Sequence, residues 1–206
     1  GQIEPKVLVT VDGYWYNGKA IPIADKVAEI VAKLPTVERV VVIPYLGGAA
    51  GPGDLSGIRG AVSWDAFLAP HAAGPIDYVE LPFAHPLYIL YSSGTTGVPK
   101  CIVHGAGGTL LQHLKEHLLH GDLKAGDRLF YFTTCGWMMW NWLVTGLAAG
   151  ATLLLYDGSP FVARGRVLWE FAEAERMTHF GTSAKYVDAA RKIALVPCKD
   201  FDLPHL

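Results

Sequence analysis

Charged side chains are scarce here: Asp, Glu, Lys and Arg supply 17% of the 206 residues, against about a quarter in ordinary soluble domains. The formal net charge is only −2, which leaves no basic footprint for nucleic acid or for an anionic membrane surface. Cysteine is equally sparse. Cys101, Cys135 and Cys198 are odd in number and show no C-x-x-C spacing, which argues against a disulfide framework or a zinc knuckle and points to a reducing cytoplasm. The first residues hold neither an initiator Met nor a charged-then-apolar signal pattern. The chain opens one step before an apolar run and reads as a segment of a longer polypeptide. Internal repeats and low-complexity tracts are also missing.

One stretch has no charge at all. Residues 129–156 are long enough to span a bilayer. Yet they contain Asn141, glycines and threonines, and Gly150 splits them into two differently patterned halves. A buried helix followed by a buried parallel strand accounts for them without a membrane.

What is present is apolar and alternating, with 51% of residues hydrophobic. Residues 7–11 predict a strand, and Ile23, Val27, Ile30, Val31 and Leu34 mark one helix face between Pro22 and Pro35. Residues 40–43 are a continuous apolar strand, closing a βαβ piece over residues 1–44. Residues 44–77 are loop-rich, interrupted by a short amphipathic piece at 64–68. Over 78–206 strands are expected at 87–91, 101–104, 129–133, 151–156 and 179–181. Helices are expected near 110–118 and at 137–149, 167–177 and 183–192. Strands at this spacing, linked by helices, predict an α/β fold of mainly parallel sheets with flanking helices.

The most informative segment is residues 92–100. Ser92, Ser93, Thr95 and Thr96 bring four hydroxyls, Gly94 and Gly97 free the backbone, and Lys100 adds a compact positive charge, all directly after a predicted central strand. Turning amides, hydroxyl donors and a lysine together suit a polyphosphate. The spacing is neither Walker A, lacking Gly-Lys-Ser/Thr, nor G-x-G-x-x-G. A plain Ser/Gly-rich hairpin loop remains an alternative for the bare hydroxyl–glycine pattern.

The full string YSSGTTGVPK (residues 91–100) resembles the phosphate-binding signature of the adenylate-forming superfamily, which includes acyl-CoA synthetases, luciferases and peptide-synthetase adenylation domains. HPLYILYSSGTTGVPKCIVHGAGG and GLAAGATLLLYDGSP are similar to the acetyl-CoA synthetase branch. LLQHLKEHLLHGDLKAGDRLFYFTTCGWMMWNWLV and the opening QIEPKVLVTVDGYWYNGKAIPI resemble the acetoacetyl-CoA synthetases in particular. The resemblance covers essentially the whole chain.

It implies an incomplete N-terminal, AMP-binding domain of an acid–CoA ligase. Its substrates would be acetoacetate, ATP and CoA, with Mg²⁺ sharing the phosphate charge. The acid would first become an acyl-adenylate, which CoA would then take up. By resemblance, Ser92, Ser93, Gly94, Thr95, Thr96, Gly97 and Lys100 grip the phosphates, while Trp137, Met138 and Met139 shape the acyl pocket. The family's Arg-x-Gly-Arg contact to CoA matches Tyr16-Asn17-Gly18-Lys19, of which Gly18 and Lys19 keep the glycine and one positive charge. The adenine-binding and ribose-binding segments and the catalytic lysine are expected beyond Leu206, so residues 1–206 alone would be inactive. Acetate, propionate or a short fatty acid as substrate, and a non-catalytic nucleotide-binding module, stay open as alternatives.

Three further groups are weighed. His113 and His117 have metal-compatible i, i+4 spacing, but a zinc site wants three or four ligands and no partner stands at usable spacing. They are read as the polar flank of a half-buried helix, with no metal. Cys135 lacks a His base with an orienting group and is read as structural. Trp140 and Trp142 are assigned to core, and Glu173 and Glu175 to solvent.

Overall fold

The computed structural model describes residues 1–48, 51–92 and 97–206. They form two compact units, Gly1–Tyr78 and Val79–Leu206.

The first unit is built on a three-stranded parallel sheet. Strand β1 (Val7–Val11) is followed by the hairpin β2 (Gly13–Tyr16) and β3 (Lys19–Pro22), helix α1 (Ala24–Ala32), β4 (Arg39–Ile43), β5 (Ala61–Ser63) and the short helix α2 (Trp64–Leu68). The strand order is β1-β4-β5, with Val9 opposite Val41 and Val41 opposite Val62. Val40, Val41 and Val42 are buried because β4 is the central strand, and Val27 and Val31 of α1 close one face over it. The C-terminal end of α1 is held by Arg59, whose guanidinium donates to Val31 O, Leu34 O and Val37 O. Val31 is in the last turn of α1, and Leu34 and Val37 lie in the turns that lead from it to β4. Asp12 does the same for the loop after β4, its carboxylate accepting from the N–H groups of Tyr45, Leu46 and Gly47 at 2.8–2.9 Å.

Two elements of this unit escape the sequence pattern. The hairpin β2–β3 turns at Asn17-Gly18, both with positive φ (49° and 75°), the left-handed pair that tight hairpin turns demand. The third strand, β5, lies within the stretch expected to be loop.

In the second unit, β6 (Pro86–Ser92) and β7 (Lys100–Gly105) form an antiparallel hairpin. Helix α3 (Ala106–Lys115) runs on into a π-turn (Glu116–His120), followed by β8 (Arg128–Tyr131) and α4 (Met138–Thr145) with a 3₁₀ extension (Gly146–Ala149). Then come β9 (Thr152–Leu154), a one-turn segment α5 (Val162–Gly165), α6 (Val167–Ala174), β10 (His179–Gly181), α7 (Ala184–Lys192) and α8 (Pro197–Asp200). A parallel sheet of order β10-β8-β9 centres on the buried Leu129 and Phe130. Phe130 packs with Leu154, Leu168, Ala172 and Met177 on one side. On the other, Leu129 packs with Leu123, Leu143 and Ala151.

The mainly parallel expectation stands, but the strand before the Ser/Thr-rich loop is not central: it pairs with β7 in a two-stranded hairpin. The physical reason is loop length. Seven residues separate Ser92 from Lys100, and a parallel connection needs a dozen or more. Residues 129–156 divide into strand, helix and strand, and no helix among the described residues is long and apolar enough to cross a membrane.

Candidate active site

The hairpin β6–β7 sets the geometry of the second unit's main cleft. Side chains alternate along a strand, so Tyr88, Leu90 and Ser92 share one face of β6. Residues directly opposite in an antiparallel pair point to the same side. The register sets His104 opposite Tyr88, Ile102 opposite Leu90 and Lys100 opposite Ser92. Lys100 and Ser92 therefore end the same face that Tyr88 and Leu90 begin. Ser93, Gly94, Thr95 and Thr96 lie outside the described residues. Gly97 has φ +97°, a conformation that side chains resist. Lys100 is exposed and makes no ion pair among the described residues.

Tyr88 and Leu90 form one wall of a cleft of about 710 Å³. Thr109, Gln112 and His113 of α3 supply a second wall, and Met138, Met139, Asn141 and Trp142 of α4 a third. The structure thus brings Met138 and Met139 together on the cleft but leaves Trp137 off its lining. Trp137 precedes α4 in extended conformation and is 66% exposed. The sequence reading missed Asn141 and His113 as cleft residues. Asn141 stands three residues after Met138, and this i, i+3 offset, which puts both on one helix face, was the available signal.

His113 and His117 are the polar centre behind this wall. Both are buried, at 9% and 1% exposure, which corrects their placement on a polar flank. Their partners come from α4, 25–32 residues onward: His113 Nδ1 lies 3.0 Å from Thr145 Oγ1, and His117 Nε2 lies 2.9 Å from Trp142 O. The rings of His117 and Trp142 meet at 4.2 Å between centroids, tilted by 35°. Burial pushes both histidines below their ordinary pKa, helped for His113 by His117 and His104, and they are neutral at pH 7. No group of three or more His, Cys, Asp or Glu able to hold a metal exists among the described residues.

The remaining assignments divide. Cys135 is exposed and has no structural role in a core. Trp140 and Trp142 pack against the Leu123–Leu129–Leu143 cluster, as expected. Glu173 and Glu175 are tethered rather than free: Glu173 Oε1 accepts from Asp202 N at 2.7 Å, and Glu175 pairs with Arg128. Gly18 and Lys19 sit at the tip of the hairpin β2–β3 in the first unit, both exposed.

A family model described as AMP-binding enzyme matches residues 1–204. The chain belongs to the AMP-binding enzyme family. It is 57% identical over 208 residues to the acetoacetyl-coenzyme A synthetase of Rhizobium meliloti (strain 1021), a match that covers 100% of the chain and 31% of that protein. It is 51% identical over 166 residues to a malonamoyl-CoA synthetase of Penicillium aethiopicum, covering 78% of the chain and 22% of that protein. Among solved structures, the acetoacetyl-CoA synthetase from Streptomyces lividans superposes with a TM-score of 0.88 at 48% identity, covering 100% of this chain and 30% of that one. The chain thus spans under a third of the length of the curated relatives it matches.

Proposed function

We propose that the chain is the phosphate-gripping and acyl-binding part of an acid–thiol ligase that joins acetoacetate to CoA at the expense of ATP. The observation that carries this reading is the β6–β7 hairpin. One strand face runs from Tyr88 and Leu90, on the cleft, to Ser92 and Lys100, at the base of the Ser/Thr/Gly loop. A cleft for a short acid thus adjoins a set of donors suited to a triphosphate.

In the proposed chemistry, a carboxylate oxygen attacks the α-phosphorus of ATP. The bond from that phosphorus to the bridging oxygen breaks, and pyrophosphate leaves with the electron pair. The sulfur of CoA then attacks the acyl carbon, AMP leaves as the C–S bond forms, and the thiol proton passes to solvent. Negative charge grows on the departing pyrophosphate, and Lys100 with the hydroxyls of the 92–97 sequence would supply donors to it. Mg²⁺ fits this site only as a passenger on the phosphates, since it takes one or two carboxylates plus phosphate oxygens and water rather than a protein cage. Its chemistry is to neutralise phosphate charge. Met138 and Met139, flexible and unbranched, shape the cleft around the acid. Gly18 and Lys19 are the proposed contacts to CoA, with the Lys19 ammonium free to meet a phosphate. The names of the relatives agree in kind, acetoacetate and malonamate both being three- or four-carbon acids with a carbonyl at the third carbon.

The test is the identity of the products. The full-length gene product, given acetoacetate, ATP, Mg²⁺ and CoA, is expected to form AMP, pyrophosphate and thioester in equal amounts, read by chromatography. ADP and orthophosphate in their place would mean phosphoryl rather than adenylyl transfer and would overturn the reading.

A further inference from the structure

The wall of the cleft formed by α4 carries a polar side chain with no partner among the described residues. Asn141 is half-buried, lines the cleft and makes no side-chain hydrogen bond among the described residues. Its amide has two donors and an acceptor to offer.

His113 lines the same cleft, and the direction of its hydrogen bonds can be worked out from Thr145, one helical turn after Asn141. Thr145 Oγ1 lies 2.6 Å from Trp142 O. Two oxygens so close share a proton, and a carbonyl has none to give, so the hydroxyl is the donor. That uses its only proton. The 3.0 Å contact to His113 Nδ1 must then be an N–H donated by the ring to Thr145 Oγ1. A neutral imidazole has one N–H, which leaves Nε2 as a bare acceptor. This nitrogen has no protein partner among the described residues and is not among the atoms sealed from solvent without one. The cleft is the space the ring adjoins.

We propose that Asn141 and His113 are the specificity residues of this cleft, selecting short acids that carry a polar group on the third carbon over plain aliphatic acids. The Asn141 amide donates to an oxygen there, and His113 Nε2 accepts an N–H or O–H from the same position. Acetoacetate uses the first of these contacts through its 3-oxo oxygen; an acid ending in a carboxamide uses both. Butyrate, the same carbon chain without the oxygen, leaves both groups dehydrated and unpaired, which is the costly case. The inference rests on the acid-activating reading above.

Acid-dependent exchange of labelled pyrophosphate into ATP tests it in the full-length gene product, with acetoacetate, malonamate and butyrate as probes. Asn141→Leu is expected to lower the acetoacetate-to-butyrate ratio of kcat/KM about 10- to 100-fold. The change should fall mainly in KM, because the contact lies away from the reacting carboxylate and serves ground and transition states alike. His113→Asn keeps an amide N–H in place of Nδ1–H for Thr145 while deleting Nε2. It is expected to penalise malonamate more than acetoacetate. Equal losses for all three acids in both variants would mean packing roles only and would overturn the proposal. So would a wild-type enzyme that uses butyrate as well as acetoacetate. Absence of wild-type exchange with any acid would instead bring down the acid-activating reading, and this inference with it.

Discussion

His117 sits where water does not reach, its ring against that of Trp142 and its Nε2–H donated to Trp142 O. Burial depresses its pKa, and the bond to Trp142 only partly offsets this. In the unfolded chain the ring returns to about 6.5. Below that value the unfolded state binds a proton that the folded state refuses, so stability rises with pH across this window. The contribution is complete above about pH 6.5 and drains away as pH falls towards the lower folded value. His113 acts in the same direction. His117→Gln keeps an amide donor for Trp142 O but does not titrate. It is expected to flatten the pH dependence of unfolding free energy by up to about 1.4 kcal/mol per pH unit, measured by urea denaturation of the full-length protein from about pH 5 to about pH 7.5. Identical slopes in both proteins would show that the ring is not held neutral by burial. Asp12 shifts stability in the same direction, at lower pH, though here it is the charged form that the fold favours. Burial pushes its carboxyl up, but the N–H groups of Leu46, Gly47 and Tyr45 outweigh that and hold it below the ordinary range.

Among the elements, the connection into α6 carries the most backbone strain. Ala163 and Arg164 both have left-handed φ (51° and 56°), followed by Gly165 at 76°. Such conformations cost roughly 1–2 kcal/mol for each residue with a side chain. Tyr186 of α7 helps to hold them, its buried hydroxyl donating to Gly165 O at 2.6 Å. Burial raises this hydroxyl to about 12, so it stays a donor throughout the useful pH range. Tyr186→Phe leaves the Gly165 carbonyl enclosed and unpaired. A loss of about 1–3 kcal/mol is expected in denaturant unfolding, with α7 otherwise intact by circular dichroism. A loss under about 0.5 kcal/mol would mean that the left-handed turn is held by other contacts.

Element by element, legibility tracks how local the cause is. Residues 7–11, 64–68 and 179–181 are readable to the residue because apolar runs and turn residues bound them. The hairpin β2–β3 is also local, and its Asn17-Gly18 turn between Tyr14-Trp15-Tyr16 and Ala20-Ile21 is a direct hairpin signal. It is masked by the helical face that begins at Ile23. β5 has only three residues, too few for a period, and is a strand because β4 lies beside it. His113 and His117 could not be placed from their own helix at all. Their polarity suggests a solvated face, and only Thr145 and Trp142, a helix and a strand away, make burial tolerable. In the cleft, Met138 and Met139 follow from the resemblance and line it. Trp137 comes from the same motif but falls off the lining, since one residue along the chain swings a side chain by about 100° at a helix start.

At the scale of the whole molecule, each unit has its own parallel sheet and core, and the hairpin, cleft and buried histidines all belong to Val79–Leu206. In the proposed function this unit helps an acid attack ATP at its α-phosphorus, with Lys100 meeting the departing pyrophosphate. Exchange of labelled pyrophosphate into ATP isolates that step, because it needs no CoA. In the full-length protein, exchange is expected to depend on acetoacetate. Lys100→Ala is expected to slow it about 10- to 1000-fold, with a smaller change in acetoacetate affinity. Exchange at the wild-type rate in Lys100→Ala, alongside lost thioester formation, would contradict the account and move Lys100 to the second half of the reaction.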